Sequence, residues 1–251
     1  SLQKTDEGSR MTNSEMVKSL CLELRLGSYI SENYREIDAK THEEFLISLL
    51  KGFQDNRRSE RRQRNLRQAG FEVMKFIGDF DFSTVTLPVD LNREQLSGLE
   101  FIERKQNLIL YGPPGTGKTH LATALGVLAC QNDYKVLFFK VSRLVNLLCE
   151  AKENGTILKF WNKLNKADLL ILDEWGYIPF ERLGTQLLFE AVSECYEKRS
   201  VILTSNLPFD EWNTIFYDQK LTAAMLDRIV HHGKLIMHNG PSYRLQNSLM
   251  Q

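Results

Sequence analysis

The sequence predicts an α/β fold: a parallel sheet with helices on both faces, preceded by a small all-helical domain. Two observations lead to this prediction. The glycine-rich segment GPPGTGKT, residues 112–119, follows an apolar run and precedes a helical pattern, which is the order of strand, phosphate-binding loop and helix in P-loop proteins. Beyond it, short apolar runs alternate with amphipathic stretches, and strands that are apolar throughout are typical of a parallel sheet covered on both sides.

Length and charge bound the functional classes. A chain of 251 residues has room for one α/β domain of about 170 residues and a smaller one. The 32 basic and 32 acidic residues cancel, but a balanced total leaves a nucleic-acid partner open, because charge can be concentrated locally. No apolar run approaches the roughly 18 residues needed to cross a bilayer, so we expect a cytoplasmic protein without a membrane partner.

The spacing of cysteines and histidines predicts neither disulfides nor a zinc site. The four cysteines stand far apart without a C-x-x-C pair, which is typical of reduced thiols in a cytosolic protein. The five histidines lack ligand spacing, and the adjacent His231 and His232 would point in different directions on a helix. We therefore expect no zinc ion at these residues.

The N-terminal region has helical patterns. Residues 1–10 are polar and precede Met11, and we interpret them as a remnant of an expression vector. Apolar positions at helical spacing predict a first helix within 14–30, with Gly27 as its stop. Thr41, followed three residues later by Glu44, predicts the start of a second helix that continues to about residue 50. Residues 11–75 are assigned to the helical domain, for contact with DNA, a partner or further subunits, and residues 76–251 to the α/β domain.

A third predicted helix, within residues 51–67, concentrates positive charge. It has seven basic residues against Asp55 and Glu60. An arginine fork can bind phosphate through two parallel hydrogen bonds, so one interpretation is contact with the backbone of duplex DNA. The other is a solvated face whose charges pair with neighbouring acids. The candidate DNA-binding residues are Arg57, Arg58, Arg61, Arg62 and Arg64.

The segment after residue 75 joins the two regions. Gly78 and the sequence Leu87-Pro88 break the helical pattern. Phe80 and Phe82 suit either an adenine pocket or simple packing at a domain junction. A helix over about 93–103 then leads into the strand before the glycine-rich loop.

The glycine-rich loop itself predicts nucleotide binding. Glycines allow successive backbone N–H groups to face an anion, next to the positive end of the following helix. Lys118 would reach the β- and γ-phosphates of ATP, and the hydroxyl of Thr119 would bind Mg²⁺. The predicted nucleotide-binding residues are Gly112, Pro113, Pro114, Gly115, Thr116, Gly117, Lys118, Thr119 and His120.

After the loop and its helix, strand and helix patterns alternate to the end of the chain. The predicted strands cover residues 135–140, 168–172, 201–204 and 234–237. The predicted helices cover residues 142–151, 157–164, 183–198, 209–216 and 220–231.

Two of these strands end in polar residues that suit hydrolysis. Asp173 and Glu174 follow one apolar strand, and Asn206 follows the next. The carboxyl ends of parallel strands meet at one edge of the sheet, where ligands bind. Asp173 would hold Mg²⁺ together with Thr119, and Glu174 would polarise the attacking water. Asn206 would position that water, or would simply cap the helix that follows it.

A cation is also needed to neutralise charge on the γ-phosphate. No arginine lies near the loop in the sequence. Arg228, in MLDRI, follows a helix of exposed character and is a candidate that a neighbouring subunit could supply. The alternative is a surface salt bridge with Asp227 or another acid.

Residues from about 65 to 245 resemble AAA+ ATPases of the DnaC/IstB-like group. GPPGTGKT, LLILDEWGYIPF, VILTSN and MLDRI occur in that family's order and approximate spacing. NLRQAGF followed by FDF, and the WGYIP run, resemble the IstB-like members, the ATPase helpers of insertion-sequence transposases, more than the DnaC helicase loaders.

The resemblance implies roles for individual residues. Lys118 and Thr119 would be Walker A residues, Asp173 and Glu174 Walker B, Asn206 sensor 1 and Arg228 an arginine finger acting in trans. Arg244 is a candidate for sensor 2. The chain ends about fourteen residues after its last predicted strand, so a C-terminal helical lid domain is not expected.

The expected function is that of an ATPase that uses ATP and Mg²⁺, oligomerises on duplex DNA with the nucleotide between subunits, and regulates DNA transposition by recruiting or stimulating a transposase. A helicase loader would keep the ATPase and exchange the transposase for a replicative helicase. A P-loop small-molecule kinase and a nucleotide-gated DNA scaffold with negligible turnover are further alternatives.

Overall fold

The computed structural model describes residues 11–176, 180–214, 216 and 218–246. The interpreted vector remnant, residues 1–10, and the YIP part of the WGYIP run lie outside the described residues. The chain divides into two compact units at Arg61 and Arg62. The N-terminal unit ends at Arg61, and the α/β unit begins at Arg62.

The N-terminal unit is built from helices. Its elements are α1 (Asn13–Glu23), α2 (Tyr29–Asn33) and the first part of α3 (His42–Ala69). The first helix was predicted to stop at Gly27. It ends at Glu23 because Arg25 and Gly27 adopt left-handed backbone angles, with φ of 55° and 72°, which a helix cannot accommodate.

Helix α3 is continuous over 28 residues, so the prediction of two separate helices over 41–50 and 51–67 is wrong. The predicted start is confirmed: the hydroxyl of Thr41 accepts a hydrogen bond from the backbone N–H of Glu44 at 3.1 Å. Within the N-terminal unit, Gly52 allows α3 to approach Tyr29, because a β-carbon at this position would lie 2.1 Å from the tyrosine hydroxyl oxygen.

The α/β unit contains a six-stranded sheet with the order β1-β6-β2-β5-β4-β3. Neighbouring strands are parallel except β1, the outermost strand, which pairs antiparallel with β6. The strands are β1 (Val85–Thr86), β2 (Asn107–Tyr111), β3 (Val136–Lys140), β4 (Leu169–Trp175), β5 (Ser200–Ser205) and β6 (Gly233–His238).

Helices lie between the strands along the chain, and the last helix follows β6. They are α4 (Arg93–Ser97), α5 (Glu100–Glu103), α6 (Lys118–Gln131), α7 (Val141–Glu153), α8 (Ile157–Leu164), α9 (Arg182–Cys195), α10 (Gln219–His231) and α11 (Tyr243–Gln246). Three short 3₁₀ turns cover Ile77–Asp79, Phe82–Thr84 and Phe209–Thr214. The single helix predicted over 93–103 is instead divided into α4 and α5, because Leu99 between them has a φ of 60°.

The core confirms the prediction of helices on both faces of the sheet. Along β4, Leu169 and Ile171 belong to one apolar layer, which includes Leu121 and Leu125 of α6. Leu170 and Leu172 belong to the other, which includes side chains of α7 and α9. Alternate residues of a strand point to opposite faces of the sheet, so a strand that is apolar throughout, such as β4, needs helices packed on both faces.

The expectation that His231 and His232 point apart is wrong. Their ring centroids lie 4.3 Å from each other. Helix α10 ends at His231, and His232 leaves the helical conformation with φ of −113° and ψ of 26°. The angular offset of two successive helical residues therefore does not apply to this pair.

Within the described part of the chain, none of the helices combines the length and the apolar character required to cross a bilayer.

Candidate nucleotide site

The glycine-rich loop connects β2 to α6, as predicted. Gly115 and Gly117 have φ values of 81° and 89°, in the left-handed region that glycine enters without a steric penalty. Helix α6 begins at Lys118 immediately after the loop. The loop therefore has the backbone of an anion nest, with the positive end of a helix behind it.

Lys118 lies inside this loop. Its Nζ donates hydrogen bonds to the backbone carbonyls of Gly112 at 2.6 Å and Pro113 at 2.7 Å. Burial lowers the pKa of Lys118 to about 8, Asp173 opposes the shift, and Arg244 adds to it. The ammonium group is thus poorly solvated, and a phosphate beside it would stabilise its charged form.

Asp173 joins three elements of the site. Its Oδ1 accepts hydrogen bonds from the hydroxyls of Thr119 at 2.9 Å and Thr204 at 2.6 Å. The residue is 1% exposed, so these bonds compensate for the burial of a carboxylate. Hydroxyl and carboxylate oxygens are the ligands that Mg²⁺ prefers, and the arrangement of Thr119 and Asp173 fits this ion.

Glu174 is turned out of the regular strand. Its φ is 61°, and the pairing of β4 with β5 is irregular between Leu172 and Trp175. Left-handed backbone costs about 1–2 kcal/mol for a residue with a β-carbon. The turn brings the Glu174 carboxylate within 3.5 Å of Nζ of Lys140, and its backbone N–H bonds to the Thr204 hydroxyl at 3.0 Å.

Sequence reasoning missed Lys140 and Thr204. Lys140 is the last residue of β3 and pairs with Asp173 across the sheet. It also lies 3.5 Å from Glu72, and Glu174 is the main cause of its raised pKa. Lys140 could have been predicted, because it stands at the carboxyl end of an apolar strand and ligands bind at that end of a parallel sheet.

Asn206 follows β5 at the same edge of the sheet. Its side-chain oxygen is buried, with no hydrogen-bond partner among the described residues. The turn after β5 is instead made by Ser205, whose hydroxyl accepts the N–H of Leu207 at 3.1 Å. A buried amide oxygen without a partner is costly and leaves Asn206 available to a water or a ligand.

Arg228 is not brought to this site within the chain. It lies on α10 next to Ile229, whose carbonyl accepts a hydrogen bond from the side chain of Asn107 at 3.0 Å. Asn107 is the first residue of β2, whereas Lys118 follows the last. Arg228 therefore lies at the amino ends of the strands and Lys118 at their carboxyl ends, which are opposite edges of the sheet. The guanidinium bonds to the carbonyl of Ala224 at 2.9 Å and lies 4.9 Å from the ring centre of Phe189.

The segment after β6 contacts the loop. The backbone N–H of Tyr243 donates to the carbonyl of Gly115 at 3.0 Å, and a β-carbon on Gly115 would lie 2.2 Å from the hydroxyl oxygen of Ser242. Arg244 is exposed and close enough to influence the pKa of Lys118. The candidate for sensor 2 therefore lies near the loop, on a short helix.

With this geometry in place, comparison with known proteins identifies the family. The sequence profile of the IstB-like ATP binding proteins matches residues 24–251. The chain belongs to the IstB-like ATP-binding family. It is 40% identical over 225 residues to a protein of Pseudomonas aeruginosa named as the ATP-binding protein of insertion sequence IS21, which covers 87% of this chain and 84% of the relative.

A second relative and a solved structure also match this chain. A protein of Geobacillus stearothermophilus named as the ATP-binding protein of insertion sequence IS5376 is 37% identical, with 84% of each chain covered. The crystal structure of DnaI matches with a TM-score of 0.52 and 21% identity, over 68% of this IstB-like chain and 90% of that one. At this identity the likeness shows the fold alone.

In this IstB-like protein, aromatic side chains pack beside the loop. Phe80 lies 5.4 Å from the ring centre of His120 and 6.1 Å from that of His238. Nδ1 of His238 lies 3.1 Å from the carbonyl oxygen of Thr116. A carbonyl can only accept, so Nδ1 carries the hydrogen, and burial lowers the pKa of His238 to about 4. Phe80 packs against the rings of His120 and His238, and a role for it in binding adenine stays a prediction.

The five candidate DNA-binding arginines all lie on α3 and are exposed. Arg57 lies over the ring of Phe53 at 5.5 Å. Arg62 forms an ion pair with Asp133 at 3.4 Å, which is the acid pairing expected of a solvated face. Their role in binding DNA stays a prediction.

Proposed function

We propose that this IstB-like protein is an ATPase that assembles on duplex DNA and assists a transposase, and thereby regulates DNA transposition. The observation that carries the proposal is the placement of the hydrolytic side chains at one edge of the sheet and of Arg228 at the other. Relatives named for insertion sequences support the transposition context.

Binding of ATP would use the loop and its two neighbouring oxygens. Lys118 would exchange the carbonyls of Gly112 and Pro113 for the β- and γ-phosphates. Thr119 and Asp173 would hold Mg²⁺, which neutralises charge on the phosphate oxygens when bound. This set of ligands is prepared by the hydrogen bond that already joins Thr119 to Asp173.

Hydrolysis to ADP and phosphate would depend on Glu174 and Asn206. The Glu174 carboxylate would accept a proton from the attacking water. The buried side-chain oxygen of Asn206 would accept a hydrogen bond from the same water and hold it in line. Lys140 competes for Glu174 through their ion pair and would have to release the carboxylate for proton transfer.

The position of Arg228 favours an active site shared between subunits. An arginine at the opposite edge of the sheet cannot neutralise a γ-phosphate bound to its own Lys118. In a head-to-tail assembly, however, one subunit's Arg228 edge would face the next subunit's loop. ATP would then bind residues of two chains and stabilise the oligomer by its differential affinity.

Contact with DNA would come from the arginines of α3. Their exposure on one helix supports binding to the phosphate backbone, which carries little sequence information. The ion pair of Arg62 with Asp133 is exposed enough to exchange for phosphate at small cost, since such surface pairs contribute about 1 kcal/mol or less.

Sedimentation velocity with ATP or ADP, with and without a duplex of several tens of base pairs, tests the proposal. A discrete large complex that requires both ATP and DNA, with slow release of phosphate, is the expected result. A protein that stays monomeric and transfers phosphate only to an added small acceptor would contradict the proposal in favour of a kinase. Pull-down with a transposase and with a replicative helicase separates the helper from the loader alternative.

A further inference from the structure

Three metal-ligating side chains converge on a surface of the α/β unit far from the nucleotide loop. Glu197 follows α9, His231 ends α10, and His232 follows it. One ligand atom from each residue lies within 4.8 Å of the other two. We call these three residues the His-His-Glu cluster.

The local backbone explains why the three groups meet. Glu197 has a φ of 56°, so the chain turns sharply after α9 and brings its carboxylate to the end of α10. There, Oε1 of Glu197 lies 3.4 Å from Nε2 of His232. The hydroxyl of Tyr196 lies 3.1 Å from Nδ1 of His231. The ring of His231 is thus oriented by a hydrogen-bond partner, as metal-binding histidines usually are.

We propose that the His-His-Glu cluster binds one transition-metal cation of the Zn²⁺ class. Two imidazoles and one carboxylate form the donor set of open, three-ligand zinc sites, in which water completes the coordination. The same donors suit Zn²⁺ and Cu²⁺ far better than Mg²⁺ or Ca²⁺, which prefer oxygen ligands.

The distances permit this assignment. Ligands placed about 2.1 Å from a tetrahedral Zn²⁺ lie roughly 3.4 Å apart. The cluster spans up to 4.8 Å, so its ligand atoms need to move inward by little more than 1 Å. His231 and Glu197 are exposed and His232 is half-buried, and rotation of such side chains provides this movement at small cost.

Occupation of the cluster would link two elements. The ion would tie the turn after α9 to the C-terminal end of α10, the helix on which Arg228 lies three residues before His231. It would also replace the contact between Glu197 and His232 with stronger metal–ligand bonds. This inference concerns the chain alone and does not depend on the proposed ATPase function.

Zn²⁺ titration calorimetry tests the site on the full chain. The affinity tag is removed, bound metals are stripped with a chelator, and saturating Mg²⁺ occupies the sites with oxygen ligands. Cys149, whose thiol is partly accessible, is replaced by serine in every protein. We expect one Zn²⁺ per chain in this background. The double variant His231→Ala/His232→Ala should lose this binding event.

Two single variants sharpen the test. Glu197→Gln should weaken Zn²⁺ binding by about 10- to 100-fold, since loss of even an outer-shell partner has that effect. His42→Ala, at the exposed start of α3, should leave binding unchanged. Far-UV circular dichroism checks that every variant is folded. In histidine NMR spectra, Zn²⁺ should shift the ring signals of His231 and His232 but not those of His42.

Either of two results would overturn the assignment. The first is a parent chain, carrying only Cys149→Ser, that takes up no Zn²⁺ under these conditions. The second is a folded double variant that binds Zn²⁺ with the stoichiometry and affinity of its parent.

Discussion

Nζ of Lys140 lies 3.5 Å from Oε1 of Glu174 and holds the proposed general base of the site in an ion pair. Both side chains are more than a third exposed, so the pair is worth about 1 kcal/mol or less. It is therefore weak enough to break during each cycle and strong enough to affect how often the carboxylate is free.

Replacement of Lys140 by Met should raise the basal rate of ATP hydrolysis. The ion pair competes with the attacking water for Glu174, and 1 kcal/mol corresponds to a rate increase of up to about fivefold. Phosphate release at saturating ATP without DNA measures the effect. Glu72→Gln is the matched control, because it removes the other acid near Lys140 and leaves Glu174 in place. A rate that drops tenfold in the Lys140→Met variant would instead assign Lys140 a direct role in hydrolysis.

Glu174→Gln should bind ATP normally and hydrolyse it about 10²- to 10⁴-fold more slowly, as expected when a general base is lost. With ATP and duplex DNA, this variant should remain in a large complex during sedimentation while the wild type disassembles. Fluorescent-nucleotide binding and phosphate release on the same sample separate the two steps. Hydrolysis at the wild-type rate would remove Glu174 from the mechanism.

Much of the site follows from the sequence because the carboxyl ends of parallel strands meet at one edge. That rule places Asp173 beside Thr119, and the structure joins them by a hydrogen bond. The same rule places Lys140 at this edge, but its contact with Glu174 depends on the register of β3 against β4 and on the left-handed backbone of Glu174. Neither feature has a local sequence signal.

The fold shows the same limits of local reasoning. The alternating pattern predicts the parallel strands, but β1 is only two residues long and is defined by its pairing with β6. Helix α3 continues through Gly52, where the missing side chain makes room for Tyr29. The break at Leu99 arises from a backbone angle that leucine rarely adopts.

His238 should make the protein less stable as the pH falls from about 6.5 to about 4. Its pKa in the folded state is about 4, whereas an ordinary histidine in the unfolded chain titrates near 6.5. The unfolded state thus binds more protons in this window, and the free energy of unfolding decreases by up to about 1.4 kcal/mol per pH unit on acidification.

Urea unfolding at several pH values, followed by the fluorescence of the buried Trp175 and Trp212, measures this slope. His238→Asn should flatten it, because the amide can donate to the Thr116 carbonyl but does not titrate. His42→Asn, at an exposed position, is the control. An unchanged slope in His238→Asn would mean that other groups cause the acid sensitivity.

Charge reversal of Arg57, Arg61 and Arg64 to Glu should weaken binding to duplex DNA and make it less dependent on salt. Each lost phosphate contact reduces the slope of log affinity against log salt by about one. Fluorescence anisotropy over a series of salt concentrations gives both quantities. The variant Lys152→Glu/Lys159→Glu/Lys166→Glu, at three exposed cations of the α/β unit, carries the same change in net charge and is the control. If the arginine variant and this control behave alike, the DNA site lies elsewhere.

The most direct test of a shared active site is to mix two inactive variants. Glu174→Gln lacks the base and Arg228→Ala lacks the cation, so each should hydrolyse ATP very slowly alone. If one chain's Arg228 serves the next chain's Glu174, an equimolar mixture with ATP and DNA contains interfaces in which both residues are intact. Random head-to-tail pairing predicts recovery of about a quarter of the wild-type rate. A mixture no faster than the average of its two components would contradict the account.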